Sequence, residues 1–158
     1  MADLGELSDL YQEVILEHSK APRNYRKPAD ASQHADGYNP LCGDRCTVYI
    51  NMDGEAIRDV AFQGSGCAIS RASASMMTQI LKGKTRTEAV KLFEEFHDLV
   101  TGKQETKPED LGKLTVFSGV SKFPARVKCA TLCWHTLQSA LDGEAEKPAT
   151  SERTTSES

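Results

Sequence analysis

Hydrophobic spacing changes at Gly64-Ser65-Gly66, and this change divides the chain into a sheet-forming half and a helix-forming half. Before it, Val48, Ile50 and Met52 alternate with Thr47, Tyr49 and Asn51, the period of a half-buried strand. Asp53-Gly54 is a hairpin turn signal, and residues 56–62 read as the return strand. After the glycines the spacing is helical, first from Cys67 to about Lys82. A further helix starts at Thr85, where Thr85 and Glu88 have capping-box spacing. Its expected buried face is Ala89, Leu92, Phe93, Phe96 and Val100, with Gly102 closing it. The last helix is predicted from near Pro124, with Val127, Ala130, Trp134, Leu137 and Leu141 inward and Gly143 at its end. Residues 103–119 are polar and read as a loop with a short helix. Ahead of the hairpin, residues 4–20 place Leu7, Leu10, Tyr11, Val14, Ile15 and His18 at helical spacing, stopping before Pro22. Residues 21–35 read as irregular chain hugging the surface. A small antiparallel sheet followed mostly by helices makes an α+β fold.

A chain of 158 residues suits one domain with one core. The expected domain spans residues 1–143. Residues 144–158 hold no apolar side chain larger than alanine and are expected to be a disordered tail. A net charge of −4 argues against nucleic acid or an anionic membrane as a partner. The first ten residues carry neither a basic flank nor an apolar stretch, and no run approaches a membrane span, so a cytoplasmic location is expected.

The five cysteines, Cys42, Cys46, Cys67, Cys129 and Cys133, are an odd number in a chain without an export signal, which argues against a disulfide framework. They are then packed thiols, metal ligands or reactive thiols. Cys42 lies on a turn bracketed by Pro40 and Gly43. Cys67 follows Gly64-Ser65-Gly66 on the first turn of a helix, where the dipole and free N–H groups favour a thiolate. Cys129 lies near the start of the last helix, behind Lys122, Arg126 and Lys128, whose charges act the same way or form an ordinary solvated face. Asp44, two residues from Cys42 on extended chain, points to the same side as Cys42. One carboxylate and three thiolates would make a tetrahedral zinc shell. The spacing by itself is a weak signal, lacking any C-x-x-C pair, and Cys129 with Cys133 is a rival ligand pair. Cys46, within or next to the first strand, and Cys133, beside Trp134, read as packed thiols.

These residues carry a family resemblance. Asn39-Pro40-Leu41-Cys42-Gly43-Asp44-Arg45, the stretch Gly64-Ser65-Gly66-Cys67-Ala68-Ile69-Ser70-Arg71-Ala72-Ser73-Ala74-Ser75-Met76-Met77, and the stretch from Gly119 to Leu132 with Lys122-Phe123-Pro124-Ala125-Arg126-Val127-Lys128-Cys129 closely resemble the SufU family of zinc-dependent sulfur-transfer proteins, relatives of the IscU-type scaffolds and the NifU N-terminal domain. The likeness runs through about residues 5 to 142. It implies that Cys42, Asp44, Cys67 and Cys129 bind one zinc per chain. It further implies that Cys42 accepts persulfide sulfur from a pyridoxal-phosphate-dependent cysteine desulfurase of the SufS type, and that Arg126 supports the site or the engagement of that enzyme. Downstream iron–sulfur assembly proteins are the other implied partners. The implied fold has about three antiparallel strands, the third around residues 34–39. The chain would act as acceptor, carrier and activator of the desulfurase rather than as a free-standing catalyst. The alternative is a scaffold holding a transient [2Fe–2S] cluster on the same residues. Scaffold relatives place a histidine where Lys128 stands, and they lack much of the segment around residues 85–119. Lysine is a poor ligand at neutral pH, so both departures point to zinc.

Other residues offer less. His18 and His97 read as surface or boundary histidines on amphipathic helices, and Met76-Met77 as core. Gly64-Ser65-Gly66 precedes a helix as phosphate-binding loops do, but it lacks the Lys-Ser/Thr of a P-loop.

Overall fold

The computed structural model describes residues 13–40, 43–103, 109–142 and 149–150. Helix α1, Glu13–Lys20, leads into the strands β1, Gln33–Asn39, β2, Asp44–Asp53, and β3, Ala56–Ser65. Helices α2, Ala68–Leu81, and α3, Arg86–Thr101, follow. A run of 3-10 turns, Glu109–Lys122, then leads to α4, Pro124–Leu141. The sheet order is β3-β2-β1 with antiparallel pairing, and Ala149–Thr150 adds a two-residue β4 parallel to β1 at Gly37 and Tyr38. The rest of the expected tail, and the part of the N-terminal helix before Glu13, lie outside the described residues.

The alternation in β2 puts Val48 and Ile50 fully inside, where they pair with Phe62 and Val60 of β3. Helix α4 lies across β1 and β2, with Ala130, Trp134, Leu137 and Leu141 buried as their spacing predicts. Trp134 is the centre of the core: its ring stacks on Phe96 at 4.9 Å and Phe93 at 6.0 Å. Its indole N–H donates to Ser73 Oγ at 3.2 Å, and that hydroxyl in turn donates to Ala130 O at 2.6 Å, so α2 and α4 are locked by a satisfied buried network. All five residues expected on the inner face of α3 are buried, and its capping box forms as predicted: Thr85 Oγ1 accepts from Glu88 N–H, while the Glu88 carboxylate accepts from Thr85 N–H. The polar segment read as a loop with a short helix is more ordered than expected. Leu111, Leu114, Phe117 and Val120 recur every third residue and are all buried, which is the period of a 3-10 helix.

One histidine reading is corrected. His18 is not a surface or boundary residue; it is 4% exposed, and its Nδ1 meets Ser75 Oγ at 2.7 Å. The helical period had placed it on the inner face with Val14 and Ile15. A buried hydroxyl partner satisfies the ring there and lets the polar residue stay inside. His97 is half-buried, consistent with a boundary position.

Candidate metal centre

One carboxylate and two thiols, from a strand, a helix cap and a helix, meet at one end of the sheet. Asp44 is the first residue of β2, paired with Asn39 at the end of β1. The connection between these strands is tight: Gly43 N–H donates to Asn39 O at 2.8 Å, with Gly43 at φ 79°, a left-handed conformation that suits glycine. Cys42 belongs to this connection but lies outside the described residues. At the far end of β3 the chain turns through Gly66 into α2, and Cys67 is its N-cap residue, one position ahead of the expected first turn. Cys129 comes from α4, almost fully buried. Asp44, Cys67 and Cys129, far apart in sequence, each bring one ligand atom to within 4.8 Å of the others.

Their mutual contacts explain how they are held. The Asp44 carboxylate accepts from Cys67 N–H at 3.3 Å and lies 3.9 Å from Cys67 Sγ. Gly66 makes this approach possible, since a Cβ there would stand 2.8 Å from Asp44 Oδ1. The sequence motif had suggested a phosphate loop only to reject it; the glycine serves to admit a carboxylate. The Cys67 and Cys129 thiols interact directly, and this contact is the main reason the Cys67 thiol falls to about 6 while Cys129 is pushed up. Burial works against ionisation of Cys67, whereas the Ser70 backbone N–H and the charge of Arg126 favour it. Arg126 is half-buried on the first turn of α4, within electrostatic reach of Cys67.

The donor set fits a thiophilic cation. Asp44 is 3% exposed, and none of the described ion pairs includes it. A buried carboxylate facing two thiols is a costly arrangement until a positive charge joins it. Two sulfurs and one oxygen suit zinc better than magnesium or calcium. Cys46 and Cys133 are not part of the cluster. Both are buried, and desolvation raises the Cys46 thiol well above its usual range and the Cys133 thiol to about 12, so both stay protonated and unreactive. Cys133 Sγ sits 3.6 Å from Ser73 Oγ, within the core network.

A family model for the NifU-like N terminal domain matches residues 10–130, a span that holds all three clustered residues. The chain belongs to the NifU-like N-terminal domain family. Among members, the zinc-dependent sulfurtransferase SufU of Bacillus subtilis is 45% identical over 140 residues, covering 89% of this chain and 95% of that protein. The iron–sulfur cluster assembly scaffold protein IscU of Streptococcus pyogenes is 39% identical, covering 87% and 86%. A solved structure from Fervidobacterium islandicum, named as a candidate iron–sulfur cluster assembly scaffold for the SUF system, superimposes with a TM-score of 0.79 at 38% identity, covering 85% of this chain and 98% of that one. The three-stranded antiparallel sheet with its helices is thus the fold of the NifU-like family, as the resemblance implied. No helix among the described residues is long and apolar enough to cross a membrane.

Proposed function

We propose that this protein is a zinc-dependent sulfur-transfer protein of iron–sulfur cluster assembly. The observation that carries the reading is the convergence of Asp44, Cys67 and Cys129 from three separate elements around a buried carboxylate. Cys42 is the fourth ligand in this reading. It lies two peptide units from Asp44, so their α-carbons are at most about 7 Å apart. Zinc, when bound, would keep the thiols deprotonated at neutral pH and neutralise the carboxylate.

Cys42 is the sulfur acceptor. Its thiolate attacks the terminal sulfur of a persulfide on a cysteine desulfurase; the S–S bond breaks, the donor cysteine leaves as a thiolate, and Cys42 carries the sulfur as a new persulfide. No net oxidation occurs. The choice of Cys42 over the other thiols has a physical basis: its neighbours Pro40 and Gly43 are exposed, while Cys129 is buried in α4 and Cys67 caps α2. Arg126 supports the charge of the site and the docking of the desulfurase, a SufS-type enzyme. Downstream assembly proteins then take the sulfur, in the cytoplasm. Removing residues 144–158 is expected to leave metal content and transfer intact.

Metal analysis of protein purified without added metal, with desulfurase turnover measured in its presence and absence, tests this reading. One zinc per chain and stimulated turnover are expected. The second reading, a scaffold for a transient [2Fe–2S] cluster, is favoured by the likeness to IscU proteins. Stoichiometric iron and sulfide with visible absorption after anaerobic reconstitution, and no stimulation of the desulfurase, would put it ahead.

A further inference from the structure

The irregular chain between α1 and β1 is fastened along the outer edge of β3. Phe62 N–H donates to Asn24 O at 3.0 Å, and Arg26 N–H donates to Phe62 O at 3.1 Å. Asn24 holds φ 59°, and Asp59 of β3 takes ion pairs from Arg26 and Lys82, at 2.5 and 3.1 Å. This backbone path carries Tyr25 over the end of the strand. The ring meets Phe62 edge-on at 5.1 Å. The hydroxyl donates to Gly64 O at 2.7 Å and accepts Gly64 N–H at 3.2 Å, engaging both backbone groups of one residue.

Gly64 is the last residue but one of β3, paired with Cys46 of β2, and the chain turns through Gly66 into Cys67 just beyond it. It also lies tight against β2, since a Cβ on it would stand 2.2 Å from Arg45 O, next to the residue that carries the Asp44 carboxylate. The Tyr25 hydroxyl and the Arg45 backbone therefore both bear on the same glycine. Tyr25 itself is 42% exposed, so burying it is a minor gain. What its hydroxyl adds is a constraint on both backbone groups of Gly64 from the open edge of β3, opposite the side that pairs with β2, at the point where the strand gives way to Gly66.

We propose that Tyr25 is a positioning residue for the metal centre, its hydroxyl fixing the end of β3 at Gly64 and thereby the Cys67 thiol against Asp44. The inference rests on the metal reading above. Without the hydroxyl the end of β3 gains freedom, and the spread of Cys67 positions widens at the cost of ordering them again when metal binds.

Tyr25→Phe keeps the ring on Phe62 and removes only the hydroxyl. Ser32→Ala is the matched control: Ser32 Oγ donates to Ile50 O at 3.2 Å and accepts Met52 N–H at 3.0 Å, a like pair of hydrogen bonds to the sheet backbone at its opposite end. The full chain is compared in three forms by chelator competition for zinc and by the ligand-field spectrum of the cobalt(II)-substituted protein. Tyr25→Phe is expected to bind zinc about fivefold more weakly, with altered cobalt bands, the scale of one lost hydrogen bond. Ser32→Ala is expected to match wild type in both. Equal zinc affinity and identical cobalt spectra in wild type and Tyr25→Phe would overturn the positioning role alone. Equal weakening in both variants would reduce it to general stability and overturn it as well. A wild-type protein that binds neither metal would overturn the metal reading and this inference together.

Discussion

A β-carbon on Gly66 would stand 2.8 Å from Asp44 Oδ1, so the entry to α2 and the first residue of β2 are fitted to each other without room for a methyl group. Gly66→Ala is expected to displace the Asp44 carboxylate rather than unfold the sheet, since nothing in the backbone conformation there demands glycine. Zinc content should fall while the far-ultraviolet circular dichroism stays native. A variant that keeps full zinc content would show that the carboxylate has space to move aside.

Removing the metal is expected to lower the melting temperature, because a site assembled only in the folded chain adds its binding free energy to folding. Cys67→Ser and Cys129→Ser should reproduce that loss without chelator. An unchanged melting temperature after chelation would contradict the joint site.

The thiols should separate by function. Cys42→Ala is expected to abolish sulfur acceptance, measured as persulfide mass on the protein after incubation with desulfurase and cysteine. Cys46→Ser and Cys133→Ser should retain it, with Cys133→Ser losing about 1 kcal/mol of stability at its buried position. An inactive but folded and metal-loaded Cys46→Ser would move the carrier role to Cys46.

Acid should weaken the fold through its buried histidines. Burial pulls the His135 imidazole down to about 3 from 6.5, with the nearby His97 adding to the effect, and His18 is lowered too. Between those values the unfolded chain holds a proton that the folded chain lacks, so stability is full above 6.5 and declines as pH falls. By pH 5 the loss from His135 alone is about 2 kcal/mol. Melting curves from pH 7.5 to 5 should show this slope. His135→Leu, which places an apolar group against Phe93, should flatten it relative to wild type. Parallel slopes for the two proteins would refute the assignment.

Helices and hairpin were legible because their signals are local. Thr85 and Glu88 announce a cap within one turn, Asp53-Gly54 announces a hairpin, and Trp134 falls on the inner face by period alone. The site was legible in part. Asp44, Cys67 and Cys129 stood out by residue type and local context, yet their meeting depends on the path of β3 and α4, and only the family likeness joined them beforehand. Tyr25 gave no signal because its action on Gly64 crosses 39 positions. The 3-10 run was missed because its every-third-residue spacing, Leu111, Leu114, Phe117 and Val120, was hidden among polar residues. His18 misled because a histidine on a helix is ordinarily solvated, and Ser75 is too far along the chain to be paired with it by eye.

The wide separation of Asp44, Cys67 and Cys129 along the chain has a consequence for biosynthesis. The sheet and α2 are made early, and they bring Asp44 and Cys67 together, but the second sulfur arrives only with α4. A nascent chain that stops short of that helix holds an incomplete ligand set and a bare carboxylate, so it lacks the energy of the finished centre. On the zinc reading, metal uptake would report that the polypeptide has been completed through its last helix, and truncated products would remain both metal-poor and open to proteolysis.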